Sequence, residues 1–281
     1  MSVSHLLPPA VSVDVDGVAI ATRVLEPRGE SAGDVVLCHG TPWSSAVWSA
    51  VADDLSDDHR VYLWDMPGYG ESEKGPEIPV DLRTQAVRLA SLLEWWGLRR
   101  PHVIAHDIGG AVALRAHLMR GAQFADLFVW DIVTLDPWGS PFFQLVAEHA
   151  DTFAQLPSRL HGALVREYIR GALVSPLSDR HIDDLAGPWL DKVGQSAFYR
   201  QIAAVSPDDT RDVAAALGEV RCPVRIGWGA DDPWIPVDQA YELQHRLPGS
   251  PSVIALEGVG HLAPWEGGGA VTAAVRQWLQ R

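Results

Sequence analysis

The sequence predicts an α/β fold: a mostly parallel central sheet flanked by helices, with a helical lid inserted in its second half. Three observations carry this. Short apolar runs alternate with helical patterns through the first 137 residues, as strands and crossover helices do around a parallel sheet. The alternation stops near residue 138, and helical patterns alone run on to about 213. A strand signal then returns, so the sheet is interrupted rather than finished. The division is therefore core over 1–137, lid over 138–213, and core again over 214–281.

The elements follow in order. VSVDV and VAIATRVL read as the first strands, then DVVLCHG and RVYLWDM. A helix is predicted over 81–97, the strand HVIAHD after it, a helix over 109–120, and the strand LFVWDIV. Beyond LDPWGSP, the segments SRLHGALVREYIRGAL and GQSAFYRQIAAV space their apolar residues as amphipathic helices do. VRIGW and PSVIAL are the last strands, and AVTAAVRQWLQ closes the chain as a helix.

Composition bounds the function. A chain of 281 residues with 47% hydrophobic content can bury one substantial core. Its net charge of −14, from 22 Lys and Arg against 36 Asp and Glu, opposes nucleic acid or an anionic membrane as a partner. A small organic substrate, apolar to moderately polar, fits better, bound by a monomer or homodimer. Cys38 and Cys222 each lie beside an apolar run and read as buried free thiols in a reducing cytoplasm. MSVSHLLPPAVSV lacks the marks of a signal peptide, and no stretch reaches the ~18 apolar residues of a membrane span. A cytoplasmic protein is expected.

The stretch VIAHDIGGAVALRAHL places Asp107 at a sharp strand-to-helix turn, where Gly109 and Gly110 remove side chains that would crowd it. Asp is also a favoured helix N-cap, so the bland role is capping. Four further motifs argue for chemistry: HGTPWSSAVW at 39–48, DMPGYGES at 65–72, WGADDPWIP at 228–236 and GVGHLAP at 258–264. The turn resembles the nucleophile elbow G-x-Nuc-x-G, with Ala105 in place of the first Gly and Asp in place of Ser.

Over nearly its whole length the chain resembles the α/β-hydrolases, and within them the branch with an aspartate nucleophile, namely epoxide hydrolases and haloalkane and haloacetate dehalogenases. The resemblance implies an α/β-hydrolase fold and a triad of Asp107, Asp232 and His261, in the chain order nucleophile, acid, histidine. It further implies an oxyanion hole made by the backbone N–H groups of Thr41 and Ile108. Asp131, at the end of LFVWDIV, is a rival acid, since some dehalogenases keep theirs there. Asp232 is preferred because it keeps the family spacing of three from Gly229. Neighbouring Asp231 reads as a turn or solvent residue.

A carboxylate nucleophile points to a saturated carbon. Attack on an acyl carbon would give a mixed anhydride and gain little, whereas opening an epoxide or expelling a halide leaves an alkyl ester that water can hydrolyse. His261 would activate that water, and the two amides would hold the oxyanion. Ile108 and Thr41 stand where haloalkane dehalogenases carry a halide-binding Trp and Asn, and where haloacetate dehalogenases carry an Arg after the nucleophile. An epoxide instead needs a proton donor for its alkoxide, and a phenol suffices. SAFYRQI resembles the tyrosine-bearing lid motif of epoxide hydrolases and nominates Tyr199, whose alternative is plain packing. Tyr168 and His161 are weaker second donors. Trp43 and Trp138 are read as pocket walls, although several of 12 Trp must simply fill core.

The reading is an epoxide hydrolase that needs no cofactor and no metal, since no H-x-E or C-x-x-C spacing occurs. Two alternatives stay open: a haloalkane or haloacid dehalogenase with the same Asp107 and His261, and a non-hydrolytic binder or cofactor-free lyase on the same fold.

Overall fold

The computed structural model describes residues 7–280. Eight strands form one sheet in the order β1-β2-β4-β3-β5-β6-β7-β8. β1 (Val11–Val15) and β2 (Val18–Leu25) form an antiparallel hairpin, and β2 pairs antiparallel with β4 (Arg60–Trp64). From β4 onward, through β3 (Asp34–Cys38), β5 (His102–His106), β6 (Asp126–Trp130), β7 (Val224–Gly229) and β8 (Val253–Leu256), every pair is parallel. Val35, Val36 and Leu37 of β3, and Val103 and Ile104 of β5, are wholly buried. Strands covered by helices on both faces read as continuous apolar runs, which is why these were visible in the sequence.

Parallel neighbours need crossover segments. α1 (Ser49–Leu55), α2 (Leu82–Trp95) and α3 (Ile108–Met119) serve β3 to β6, and α9 (Asp238–Arg246) joins β7 to β8. α10 (Ala263–Glu266) and α11 (Gly268–Leu279) end the chain, and α11 packs on α1, where Arg276 pairs with Asp54 and Asp58. α1 and α9 were not anticipated. They are 7 and 9 residues long, too short for a helical period to stand out.

Between β6 and β7 lie α4 (Pro141–Ala154), α5 (Ser158–Arg170), α6 (Asp179–Ala186), α7 (Lys192–Ala204) and α8 (Asp208–Ala215). α4 packs along α7 and α5 against α6. α8 behaves differently: it packs on the core helix α3, where both Arg115 Nη atoms meet the two Asp212 oxygens at 2.7 Å. Cys38 is buried, which pushes its thiol up to about 12, whereas Cys222 is only half-buried. Among the described residues no helix is long and apolar enough to cross a membrane.

The site follows from the topology. Gly40, Asp107, Asp131, Asp232 and His261 all stand just beyond the C-terminal ends of parallel strands, on one edge of the sheet. Open α/β sheets bind ligands at that edge.

Candidate active site

Asp107 follows β5 with φ 53° and ψ −128°, a backbone conformation that costs energy for any residue with a Cβ. Three hydrogen bonds hold it there: its N–H to the Trp130 carbonyl at 3.1 Å, and its carbonyl accepting from Gly110 at 3.0 Å and Val133 at 3.2 Å. The turn needs close backbone approach. A Cβ on Gly109 would run into the His39 carbonyl, and one on Gly40 would strike Asp107 itself. The Asp107 side chain makes no capping hydrogen bond to α3, so capping does not account for it.

Its two oxygens face different partners. Oδ1 accepts the Thr41 N–H at 2.7 Å, and Oδ2 lies 3.1 Å from His261 Nε2. Burial would raise the Asp107 pKa, but His261, His106 and the Ile108 N–H outweigh it and hold the carboxyl below its usual range. His261 is wholly buried, with Nδ1 at 2.8 Å from Asp232 Oδ2. Asp232 is fixed in turn, its Oδ1 accepting the N–H groups of Trp234 at 2.7 Å and Ile235 at 2.9 Å. Burial would depress the imidazole pKa, yet the Asp232 and Asp107 carboxylates raise it well above the ordinary value. The histidine loop is tied to the inserted helices, since the His261 N–H donates to the Ala172 carbonyl at 2.9 Å just beyond α5.

Asp131 makes no contact with His261. Its Oδ1 accepts the Gly229 N–H at 2.7 Å, its Oδ2 is buried without a partner, and burial followed by the nearby Asp232 charge raises its pKa well above the carboxylate range. The carboxylate seated on the histidine is Asp232.

A small cavity is lined by Asp107, Thr41 and His261 together with Ile108, Trp138, Phe143, Tyr168 and Trp234. Two placements expected from sequence need correction. Tyr199 does not line this cavity; it is buried on α7 with its hydroxyl 2.8 Å from His161 Nδ1 of α5, while His161 Nε2 bonds the Trp189 carbonyl at 2.9 Å. Burial pushes the Tyr199 phenol up to about 12. Trp43 is also absent from the lining, because Trp234 stacks over it at 6.1 Å between ring centroids and takes the position facing the cavity. Trp138 does line the cavity, but its indole N–H donates to Thr210 Oγ1 at 2.9 Å.

Tyr168 is the phenol in the cavity. Its ring stacks on Trp234 at 4.6 Å, and its hydroxyl makes no hydrogen bond to another described residue. Burial and the Asp107 charge both raise its pKa, so it stays protonated. Sequence reasoning did not single out Trp234 or Phe143. Trp234 carried a usable signal, standing two residues after Asp232 in the same loop, whereas nothing marked Phe143. Among the described residues no group of three or more His, Cys, Asp or Glu side chains is placed to hold a metal ion.

Residues 35–275 match the model of the Alpha/beta hydrolase family. The crystal structure of an alpha/beta hydrolase fold protein from Burkholderia ambifaria superposes with a TM-score of 0.91 at 40% identity, covering 96% of this chain and 98% of that one. A curated relative, the 2-hydroxy-6-oxononadienedioate/2-hydroxy-6-oxononatrienedioate hydrolase 2 of Pseudomonas putida, is 25% identical over 90% of this chain and 89% of its own length. The epoxide hydrolase CorEH shares the fold with a TM-score of 0.75 at 22% identity, covering 96% of this chain and 98% of its own.

Proposed function

We propose that this chain, which belongs to the alpha/beta hydrolase family, opens epoxides to diols through an alkyl ester on Asp107. The observation that carries the reading is the division of labour at that carboxylate, which lines the cavity: Oδ1 is held by the Thr41 amide and Oδ2 stands beside His261.

In the first step Asp107 Oδ2 bonds to an epoxide carbon, the carbon–oxygen bond of the ring breaks, and the alkoxide takes the Tyr168 proton. The Asp107 charge that helps keep this phenol protonated disappears as the ester forms. Proton release therefore becomes easier as the alkoxide develops. In the second step His261 takes a proton from water, the hydroxide attacks the ester carbon, and negative charge grows on Oδ1. A donor already stands 2.7 Å away. Esterification also removes one of the two carboxylates that raise the imidazole pKa, which shifts His261 toward the free base the second step needs. Collapse passes the hydroxyl proton of the tetrahedral species to the departing oxygen and releases the diol, Asp107 is restored with one oxygen from solvent, and the proton held by His261 returns through solvent to the Tyr168 phenolate.

The wall chemistry counts against a haloacid, since among the described residues no Arg or Lys lines the cavity to hold its carboxylate. Trp43 is outside the lining and the Trp138 N–H is engaged by Thr210, which leaves Trp234 as the cavity indole, and halide release assayed beside diol formation decides between the two leaving groups. We read α4–α7 as the lid, with access through a depression that shares Ser140, Tyr168 and Trp234 with the inner cavity. A compact, neutral, largely apolar epoxide fits that path.

A single turnover in H₂¹⁸O is expected to place the label in the Asp107 carboxylate before any reaches the diol. Label in the diol on the first cycle would overturn the ester. Tyr168→Phe should slow alkylation by ~10²–10⁴-fold, the usual worth of a positioned acid. Tyr199→Phe, by contrast, leaves His161 Nδ1 without its partner and should cost about 1–3 kcal/mol of stability with no selective effect on alkylation. Rapid-quench kinetics and thermal melts distinguish the two.

A further inference from the structure

We infer that Gln201, on helix α7 of the proposed lid, is a positioning residue that sets the Thr41 amide against Asp107, so that the oxyanion site is complete only with the lid seated. The inference rests on the ester mechanism proposed above. Gln201 is wholly buried, and its Oε1 accepts two hydroxyl protons, from Thr41 Oγ1 at 2.8 Å and from the Tyr69 phenol at 2.7 Å. The same Thr41 donates its backbone N–H to Asp107 Oδ1 at 2.7 Å. One residue of the core loop thus connects a lid helix to the nucleophile.

The second donor is itself well anchored. Tyr69 is wholly buried, with its ring edge on His39 at 5.5 Å and on Trp189 of the lid at 5.7 Å, and burial keeps the phenol protonated. Gln201 Nε2, in contrast, is buried with no hydrogen-bond partner among the described residues. A lid helix needing only to pack on the core would place an apolar side chain here, because an orphaned buried amide is destabilising. The arrangement is intelligible if the carbonyl oxygen has a task. Holding the Thr41 side chain from above fixes the rotation of the peptide unit that carries the donor N–H.

The two chemical steps depend on that N–H unequally. During alkylation the charge on Oδ1 declines as the ester forms, so the Thr41 contact weakens. During ester hydrolysis an oxyanion develops on Oδ1, and the donor is needed most then. A misplaced Thr41 should therefore slow the second step and spare the first.

The test uses Gln201→Met, which keeps length and removes the acceptor, Thr41→Val, which removes the hydroxyl and keeps the backbone N–H, and the double variant. Rapid quench with an epoxide resolves the two steps, and hydrogen exchange without substrate reports the Thr41 amide. Gln201→Met is expected to slow ester hydrolysis by ~10–100-fold, short of the ~10²–10³ for losing a donor outright, with alkylation within about threefold of native. Thr41 amide exchange should rise about tenfold or more while α3 amides keep their protection. The double variant should be no worse than the more damaged single one, the mark of a shared interaction. Equal slowing of both steps, additive losses, or unchanged Thr41 exchange would overturn the inference. If Gln201→Met does not fold, Thr41→Val breaks the same hydrogen bond from the other side and decides. If even the native protein forms no adduct, the ester mechanism falls, and the exchange rates in the three variants judge the positioning role alone.

Discussion

Asp107→Asn is expected to lower turnover by roughly 10⁴–10⁶-fold, the scale seen when a member of a catalytic triad is removed, while the protein stays folded. The amide oxygen can replace Oδ1 under the Thr41 N–H, which leaves the uncharged Nδ2 facing His261 where the attacking oxygen stood. An amide nitrogen there does not displace carbon–oxygen bonds. Folding should tolerate the exchange, because Asn enters positive-φ backbone more readily than most residues and the variant no longer buries a negative charge at this turn. His261 offers a second readout, since loss of one of its two carboxylate neighbours should lower its pKa from the raised resting value, visible as a shifted imidazole titration by NMR. A freshly prepared Asp107→Asn protein that turned over at the native rate would remove the basis of the mechanism.

The positions of Asp107, Asp232 and His261 were legible because each sits in a turn whose residue pattern is set by backbone geometry, and buried parallel strands announce themselves as apolar runs. What a helix turns toward was not legible. Tyr168 and Tyr199 both occupy inserted amphipathic helices, and only the docking of α5 against α7 decides that one phenol reaches the cavity and the other bonds His161. Layering was hidden in the same way: Trp43 and Trp234 stack, and which ring faces the substrate depends on the loop after β7. The choice between Asp131 and Asp232 turned on a similar detail. Both follow strands at the same edge of the sheet, but Asp131 is committed to the Gly229 amide while the Asp232 loop carries its carboxylate on to the imidazole. Gln201 left no trace in sequence, since a polar residue at helical spacing reads as solvent-facing until its partners, 132 and 160 positions away, are known. The packing of α8 was hidden too, because α8 has the same helical pattern as α4–α7 and differs in what it touches, the Arg115 fork on α3.

His261→Gln is expected to stop the reaction halfway, with alkyl-enzyme accumulating to one adduct per chain and the intact mass rising by that of the whole epoxide, since ring opening expels no leaving group. Ester hydrolysis should fall by ~10²–10⁴-fold for loss of the general base. The native protein should show the same adduct on acidification, and the sign follows from the two shifts. Asp107 is held below the ordinary carboxylate range, so it stays ionised and able to attack as pH falls. His261 is held above the ordinary imidazole value by Asp232 and Asp107; the ester removes the Asp107 share, but Asp232 remains bonded at Nδ1. Acid therefore protonates the base while the nucleophile is still anionic, and hydrolysis fails before alkylation does. In His261→Gln the adduct should build up without acid, because the base that clears it is gone, and its yield should not rise on acidification, since the variant also loses the histidine that helps keep Asp107 ionised. An adduct fraction in the native protein that stayed constant or shrank on acidification would mean that His261 is not the base of the second step.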